Sequence, residues 1–327
     1  MSPVITGNQL LAAPSHRALV SDDLLTGSNQ WTFPPSGSKV LLQALYGTPV
    51  VAQGVVLLSG YNGTLYALSL SDGGEKWEKT TVGHMVGGPA VSGDTVYVGS
   101  GDHCLYAFAL SNGDERFSPF CTGAKIWSTP VVDNGIVYVS SMDRKVYAID
   151  ASTGELRWDK PFQASGAIAS TPVVANGTVY VGTLDNSFYA LDASNGEMRW
   201  RYKADDWIWN RAVAPADTVY FGTLGGSFYA LDTANGQLRW DKPFRAAGEI
   251  RGSAALVGSR LVVADESGFV YGLNASDGSQ VWSSPASAGV PSDMTVNGDV
   301  AYYATKSGNI EKVDPADGTI SIVQTPK

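Results

Sequence analysis

Tyr180-Val181-Gly182-Thr183-Leu184-Asp185-Asn186-Ser187-Phe188-Tyr189-Ala190-Leu191-Asp192-Ala193-Ser194-Asn195-Gly196-Glu197-Met198-Arg199-Trp200 decides the fold. It reads as strand, tight turn, strand, tight turn, strand. Val, Thr, Tyr and Phe supply the strand residues, and Asp185-Asn186 and Ser194-Asn195-Gly196 supply the turns. Residues 138–158 and 220–240 are near copies, and 56–77, 97–117, 262–282 and 302–322 are looser ones. The terminal residues Trp31, Trp77, Phe117, Trp158, Trp200, Trp240, Trp282 and Ile322 are 46, 40, 41, 42, 40, 42 and 40 residues apart. A period near 41 with four strand-like runs per unit has the length of a propeller blade. Within one unit the runs are 170–174, 178–182, 187–192 and 197–202. No sustained helical period is present.

The expected fold is therefore all-β, a seven-bladed β-propeller of four-stranded blades formed by residues 30–327 as a single domain. Residues 1–29 match no repeat, and Gly7, Pro14, Ser15 and Ser28 suggest an irregular N-terminal arm. Gln30-Trp31-Thr32-Phe33 resembles the end of a unit with no body before it, while the unit ending at Ile322 has lost its terminal Trp. The N-terminal strand near Trp31 is accordingly expected to pair with the last blade and close the ring.

Bulk composition excludes some classes. The 327 residues carry a net charge of -9 and a pI near 4.8, which argues against a nucleic-acid partner, because phosphate binding needs a basic face. No stretch approaches the roughly 18 uninterrupted apolar residues of a membrane helix. Met1-Ser2-Pro3-Val4 shows no basic n-region or apolar h-region, so no export signal is expected in the chain as it stands, and a chain with its leader removed reads the same. Cys104 and Cys121 flank the Ser111-Asn112-Gly113 turn at similar distances, roughly opposite on an antiparallel pair. Either they form a disulfide, which favours an oxidising compartment, or they are two buried free thiols.

The spacing Ala–x5–Gly–x3–Trp recurs as Ala67/Gly73/Trp77, Ala148/Gly154/Trp158, Ala190/Gly196/Trp200 and Ala230/Gly236/Trp240. It recurs with a change in Ala107/Gly113/Phe117 and Gly272/Gly278/Trp282, and decays in Lys312/Gly318/Ile322. Over residues 40–323 this resembles the tryptophan-docking repeat of the pyrroloquinoline-quinone (PQQ)-type β-propellers. The resemblance implies that Trp77, Trp158, Trp200, Trp240 and Trp282 are structural, packing between blades against the small Ala and the Gly-bearing turn. Quinoprotein dehydrogenases of that family are much longer and carry an adjacent Cys-Cys pair with acidic and Asn calcium ligands. Here no two cysteines are adjacent. The non-enzymatic members include extracytoplasmic sensor domains and the lipoprotein subunit of the machine that inserts outer-membrane β-barrels. That lipoprotein type usually has eight blades, and the repeat count here is seven.

Residues that recur in every unit belong to the fold, so function is sought where units differ. Leu45, Met85, Ile126, Ile168, Ile208, Ile250 and Val290 occupy one aliphatic position and read as core. Period two turns the flanking positions the other way. There Tyr46, His84, Trp127, Trp207, Trp209, Arg211, Glu249, Arg251 and Asp293 concentrate aromatic and charged groups at one axial mouth. Two readings are open: a binding mouth, since Trp, Tyr and Arg carry binding energy, or a plug in which Glu249 and Asp293 neutralise Arg211 and Arg251. His16, His84 and His103 show no metal-ligand spacing, so no metal site is expected. Asp150, Asp192 and Asp232 precede turns, where Asp accepts backbone N–H bonds. No catalytic motif stands out, and no cofactor is expected.

The expected function is an extracytoplasmic binding or scaffold propeller in the bacterial periplasm or cell envelope. It would present this mouth to a protein or glycan partner, with membrane association through a removed N-terminal lipid anchor. The alternative is an enzyme on the same fold, either a lyase or hydrolase using His84, Glu249 or Asp293 or a divergent PQQ-dependent dehydrogenase. A third reading is a structural module whose partner lies on the blade edges.

Overall fold

A computed structural model describes residues 1–14, 17–40 and 42–325; Ser15 and His16 lie outside the described residues. The all-β propeller class stands, but the chain forms eight blades, not seven. In order, inner strand to outer, blade 1 is Val4–Thr6, Gln9–Ala12, Leu19–Asp23 and Asn29–Phe33. Blade 2 is Val50–Ala52, Val55–Ser59, Thr64–Ser69 and Glu75–Thr80, and blade 3 is Ala90–Ser92, Thr95–Gly99, Cys104–Ala109 and Phe120–Cys121. Blade 4 is Val131–Asp133, Ile136–Ser140, Lys145–Asp150 and Phe162–Gln163. Blade 5 is Val173–Ala175, Thr178–Gly182, Ser187–Asp192 and Met198–Lys203. In blade 6, Thr218–Gly222, Ser227–Asp232 and Phe244–Arg245 are joined by a bridge from Val213 to Tyr220, which takes the innermost place. Blade 7 is Ala255–Val257, Arg260–Ala264, Phe269–Asn274 and Gln280–Pro285; blade 8 is Thr295–Asn297, Val300–Ala304, Ile310–Val313 and Ile320–Gln324. Every pairing is antiparallel between chain neighbours. The chain divides into two compact units, one built mainly from Pro3–Pro172 and carrying blades 1–4, the other from Val173 onward and carrying blades 5–8.

The extra blade lies where an arm was expected. Residues 1–29 supply its first three strands, and the strand bearing Trp31 completes that sheet by pairing with Leu19–Asp23 rather than serving the last blade. Ser21/Gly27/Trp31 carries the same spacing as Ala190/Gly196/Trp200, with Ser in place of Ala. Ser21 pairs with Trp31 as Ala190 pairs with Trp200, and a register shift follows each pair. The resemblance was obscured because Ala13, Pro14 and their neighbours replace the two-residue hairpin turn found in the template. Blade 8 departs at the other end of the chain. Its register shift falls two residues early, so Ile322 pairs with Glu311 rather than Lys312, and its side chain is exposed.

The outer strands of blades 2 and 5 each bury one residue. In Glu75-Lys76-Trp77-Glu78-Lys79-Thr80 and in Met198-Arg199-Trp200-Arg201-Tyr202-Lys203 only the Trp is buried. Its indole lies on the turn glycine of the following blade. A Cβ on Gly73 would stand 2.6 Å from the Trp31 ring, on Gly196 2.6 Å from Trp158, and on Gly236 2.6 Å from Trp200. These glycines also have φ of +69, +78 and +71, a region other residues rarely adopt. The indole N–H then donates to the carbonyl three residues before that glycine: Trp31 to Leu70 (2.9 Å), Trp77 to Leu110 (2.9 Å), Trp200 to Thr233 (2.9 Å), Trp240 to Ala275 (3.1 Å) and Trp282 to Pro315 (2.9 Å). Phe117 has no N–H to give. The equivalent carbonyl, Ala151, instead accepts from the Tyr97 hydroxyl at 2.7 Å.

Blades 3, 4 and 6 interrupt the outer strand at Pro119, Pro161 and Pro243, as proline requires when it leaves a ladder at an edge. In blade 3 the short outer strand is tied back by a disulfide between the directly opposed Cys104 and Cys121. Among the described residues no helix is long and apolar enough to cross a membrane.

Trp200→Ala should lower unfolding free energy by about 3–5 kcal/mol, the usual loss for a buried aromatic. Gly236→Ala should destabilise too, because it forces a Cβ both into the indole and into a left-handed backbone. Denaturant unfolding measures both, and near-neutral behaviour of Gly236→Ala would refute the packing described. Deleting residues 1–29 should markedly lower the thermal midpoint, since it removes three strands of a blade; an irregular arm would be lost without effect.

Candidate functional site

The aliphatic row is the fixed floor of the candidate site. Leu45, Met85, Ile126, Ile168, Ile208, Ile250 and Val290 are all 0% exposed. Backbone bonds pin this segment between two central hairpins. The N–H groups of Ile126, Ile208, Ile250 and Val290 donate to the carbonyls of Ser100, Thr183, Thr223 and Asp265 in the preceding blade. The carbonyls of Ala44, His84, Lys125, Trp207, Glu249 and Gly289 accept from Tyr61, Gly101, Met142, Leu224, Glu266 and Lys306 in the blade the segment leads into. The flanking side chains thus stand beside the hairpin residues of each blade.

In the first unit this brings Tyr46, Tyr61 and His84 together. Tyr61 stacks on the imidazole with centroids 4.3 Å apart and planes at 7°, and Tyr46 meets Tyr61 edge-on at 5.3 Å. His84 Nδ1 lies 2.6 Å from the Tyr61 carbonyl, and since a carbonyl only accepts, Nδ1 carries the proton. Tyr46 is 54% exposed. The Lys125 ammonium lies 5.6 Å from the centre of the Trp127 ring.

In the second unit Trp209, Glu249 and Arg251 come together. The Arg251 guanidinium sits 5.8 Å from the Trp209 ring centre. It donates to Glu249 at 2.8 Å and its Nε lies 3.0 Å from Glu266, which also pairs with Lys306. Trp207 is 48% exposed. Arg211 is exposed, and no carboxylate among the described residues lies within ion-pair distance of it. Asp293 holds no arginine there; its Oδ1 accepts the Ser253 N–H at 2.7 Å.

That last bond belongs to a repeated device. Gly88 N–H donates to Thr129 Oγ1 (2.8 Å) and Thr129 N–H to Thr171 Oγ1 (3.2 Å), so this register position links one blade to the next. Asp293 serves it as an acceptor, whereas Arg211 stands at the same position with nothing to accept.

Sequence reasoning missed Tyr61, Glu266 and Lys306, which come from central hairpins. Their signal was placement just before Asn62-Gly63, Ser267-Gly268 and Ser307-Gly308, turns that differ from blade to blade. Another set of carboxylates is structural. Asp150 and Asp232 accept turn N–H groups, and Asp102, Asp143, Asp205, Asp265 and Glu311 each accept a tyrosine hydroxyl. Asp265, 0% exposed, also takes N–H bonds from Gly248, Ser267 and Phe269. Among the described residues no group of three or more His, Cys, Asp or Glu is placed to hold a metal ion.

The recurrent indole-on-glycine blades define a PQQ-type repeat β-propeller. A family model described as outer membrane protein assembly factor BamB matches residues 1–119, 121–252 and 245–321, and the chain belongs to that family. A stretch of 88 residues is 33% identical to the outer membrane protein assembly factor BamB of Alkalilimnicola ehrlichii; it covers 25% of this chain and 23% of that protein's length. Among solved structures, BamB from Moraxella catarrhalis superposes with a TM-score of 0.81 at 18% identity, covering 95% of both chains. The quinohemoprotein alcohol dehydrogenase ADHIIG of Pseudomonas putida HK5 superposes at 0.78 with 14% identity, covering 93% of this chain and 69% of that one. At such identities the likeness is one of fold.

Burial, with the neighbouring carboxylate, pushes the phenols of Tyr106, Tyr229 and Tyr271 up to about 12. A raised folded value means their contribution to stability is whole below the unfolded value of about 10 and is lost as pH climbs toward 12. In an alkaline titration followed at 295 nm, these tyrosines should ionise only as circular dichroism reports unfolding, above exposed tyrosines at about pH 10. Their ionisation in an intact fold near pH 10 would contradict the pairing.

Proposed function

We propose that the chain is a non-enzymatic scaffold propeller of a bacterial cell envelope that binds protein partners through the loops leading into its innermost strands. The observation that carries this reading is the contrast between repeated and unrepeated residues. The repeated ones are consumed by the fold, while Tyr46, Trp207 and Arg211 stand exposed at positions whose residue type changes from blade to blade. Large aromatic and arginine side chains left facing solvent are the groups that carry binding energy at interfaces. Family membership over most of the chain supports a role as an assembly factor, and the eight blades agree with what the resemblance implies for the lipoprotein members. The Cys104–Cys121 bond supports an oxidising compartment.

A tagged chain should co-purify with the host's machinery for inserting outer-membrane β-barrels, identified by mass spectrometry. The triple variant Trp127→Ala, Trp209→Ala, Arg251→Ala should lose that capture while its thermal unfolding stays near that of the parent. Unfolding of the triple variant would instead make these residues a structural plug, and undiminished capture would move the interface elsewhere.

A further inference from the structure

Residues 207–212 alternate between outward and inward side chains. Ile208, Asn210 and Ala212 are buried at 0%, 5% and 6% exposure, while Trp207 and Arg211 are exposed and Trp209 is half-buried. The buried row is immobilised from both sides. The Asn210 amide donates to the Ile250 carbonyl at 3.1 Å and accepts the Gly222 N–H at 3.4 Å, and Ile208 N–H donates to Thr183 at 3.1 Å. The outward row therefore stands on a segment held to the fold through every second residue, although the backbone itself bends at Asn210.

The charges on this row are uneven. Arg251 and Lys306 are matched by Glu249 and Glu266, two against two. Arg211 has no such partner among the described residues, in a chain whose net charge is -9. Its planar fork of donors suits a carboxylate held through two parallel bonds. At the far end, Asp206 accepts the Trp207 N–H at 2.8 Å and would repel a second carboxylate there. Between them, Trp209 is braced on one side by Arg251.

We propose that Trp207, Trp209 and Arg211 form a binding site for an extended acidic peptide, in the order apolar–x–apolar–x–acid. The acidic side chain pairs with Arg211, and the two apolar side chains lie on Trp209 and Trp207. This rests on the scaffold reading above and names the chemistry of its ligand.

The test uses the full chain and a fluorescein-labelled, end-capped peptide of sequence Phe-Ser-Phe-Ser-Glu, with a Gln-ending counterpart, followed by fluorescence anisotropy at low salt. The wild type should bind the Glu peptide about tenfold more tightly than the Gln peptide, the scale of a charge-assisted hydrogen bond. Arg211→Gln should bind the two peptides equally, at the weaker level, and Arg211→Lys should restore part of the difference. Trp207→Ala should weaken both peptides by a similar factor. Equal binding of the two peptides by the wild type, or a preference that survives Arg211→Gln, overturns the proposal. So does displacement of the peptide by trigalacturonic acid at lower concentration than by unlabelled peptide, which would make the ligand an acidic glycan. If the peptide fails to bind while the wild type still co-purifies with the β-barrel machinery, the ligand class falls and the scaffold reading stands; if both fail, both fall.

Discussion

An indole laid on a glycine of the next blade holds the outer strands of blades 2 and 5 in place. Every other residue of those strands is exposed or half-buried at a sheet edge, so the Trp is what brings them to the core. The contact needs three things at once. The glycine must lack a Cβ, its backbone must turn left-handed, and a carbonyl three residues earlier must wait for the indole N–H. Trp meets the third condition as no purely apolar residue can, burying a large flat surface while still satisfying a polar atom. In blade 3, where Phe117 stands in the place of Trp, the carbonyl is still met by the Tyr97 hydroxyl, as Ala275 is met by Tyr220 beside Trp240, and a disulfide ties down the shortened strand.

The same economy explains the candidate site. In blades 2 to 8 the segment before the innermost strand carries a buried aliphatic side chain, and in blades 2–4 and 6–8 backbone bonds tie it to central hairpins. Its outward side chains are therefore held in place without having to contribute to the core, and they are free to vary from blade to blade. Where they are Gly, Ala or Thr they are linking or neutral. Several of the Trp, Tyr, His and Arg residues there pair with hairpin residues into small, ordered clusters, such as Tyr46–Tyr61–His84 and Trp209–Arg251–Glu249 with Glu266, while Arg211 does not among the described residues. Asp293 shows why residue type alone misleads at these positions, since its carboxylate does the linking work of a threonine hydroxyl.

Much of this was legible in the repeat. The four-run unit, the Ala–Gly–Trp spacing and the aliphatic row all follow from periodicity, and all seven members of that row are fully buried. The opposition of Cys104 and Cys121 was legible from their equal distance to a turn, though not whether they are bonded. Blade 1 was not recognised, because Ser21 replaces Ala and a longer connection replaces the hairpin turn, so that Trp31 looked like a strand without a body. The hairpin partners Tyr61, Glu266 and Lys306 were invisible to an alignment of a single strand position, because they belong to a different strand pair.

What the amino-acid sequence determined by itself is the blade: strand period and turn chemistry are local, set by backbone geometry, and the docking residues are marked by a spacing that recurs within each unit. What only the tertiary structure decided is the number of blades and the assignment of charges. A strand counts as a blade member through hydrogen bonds to its neighbours, and an arginine is paired or free according to the side chains folding brings beside it, as Arg251 shows by pairing with Glu266 as well as with its chain neighbour Glu249. Glu266 in turn pairs with Lys306 from the hairpin of the next blade, a contact that no single repeat contains.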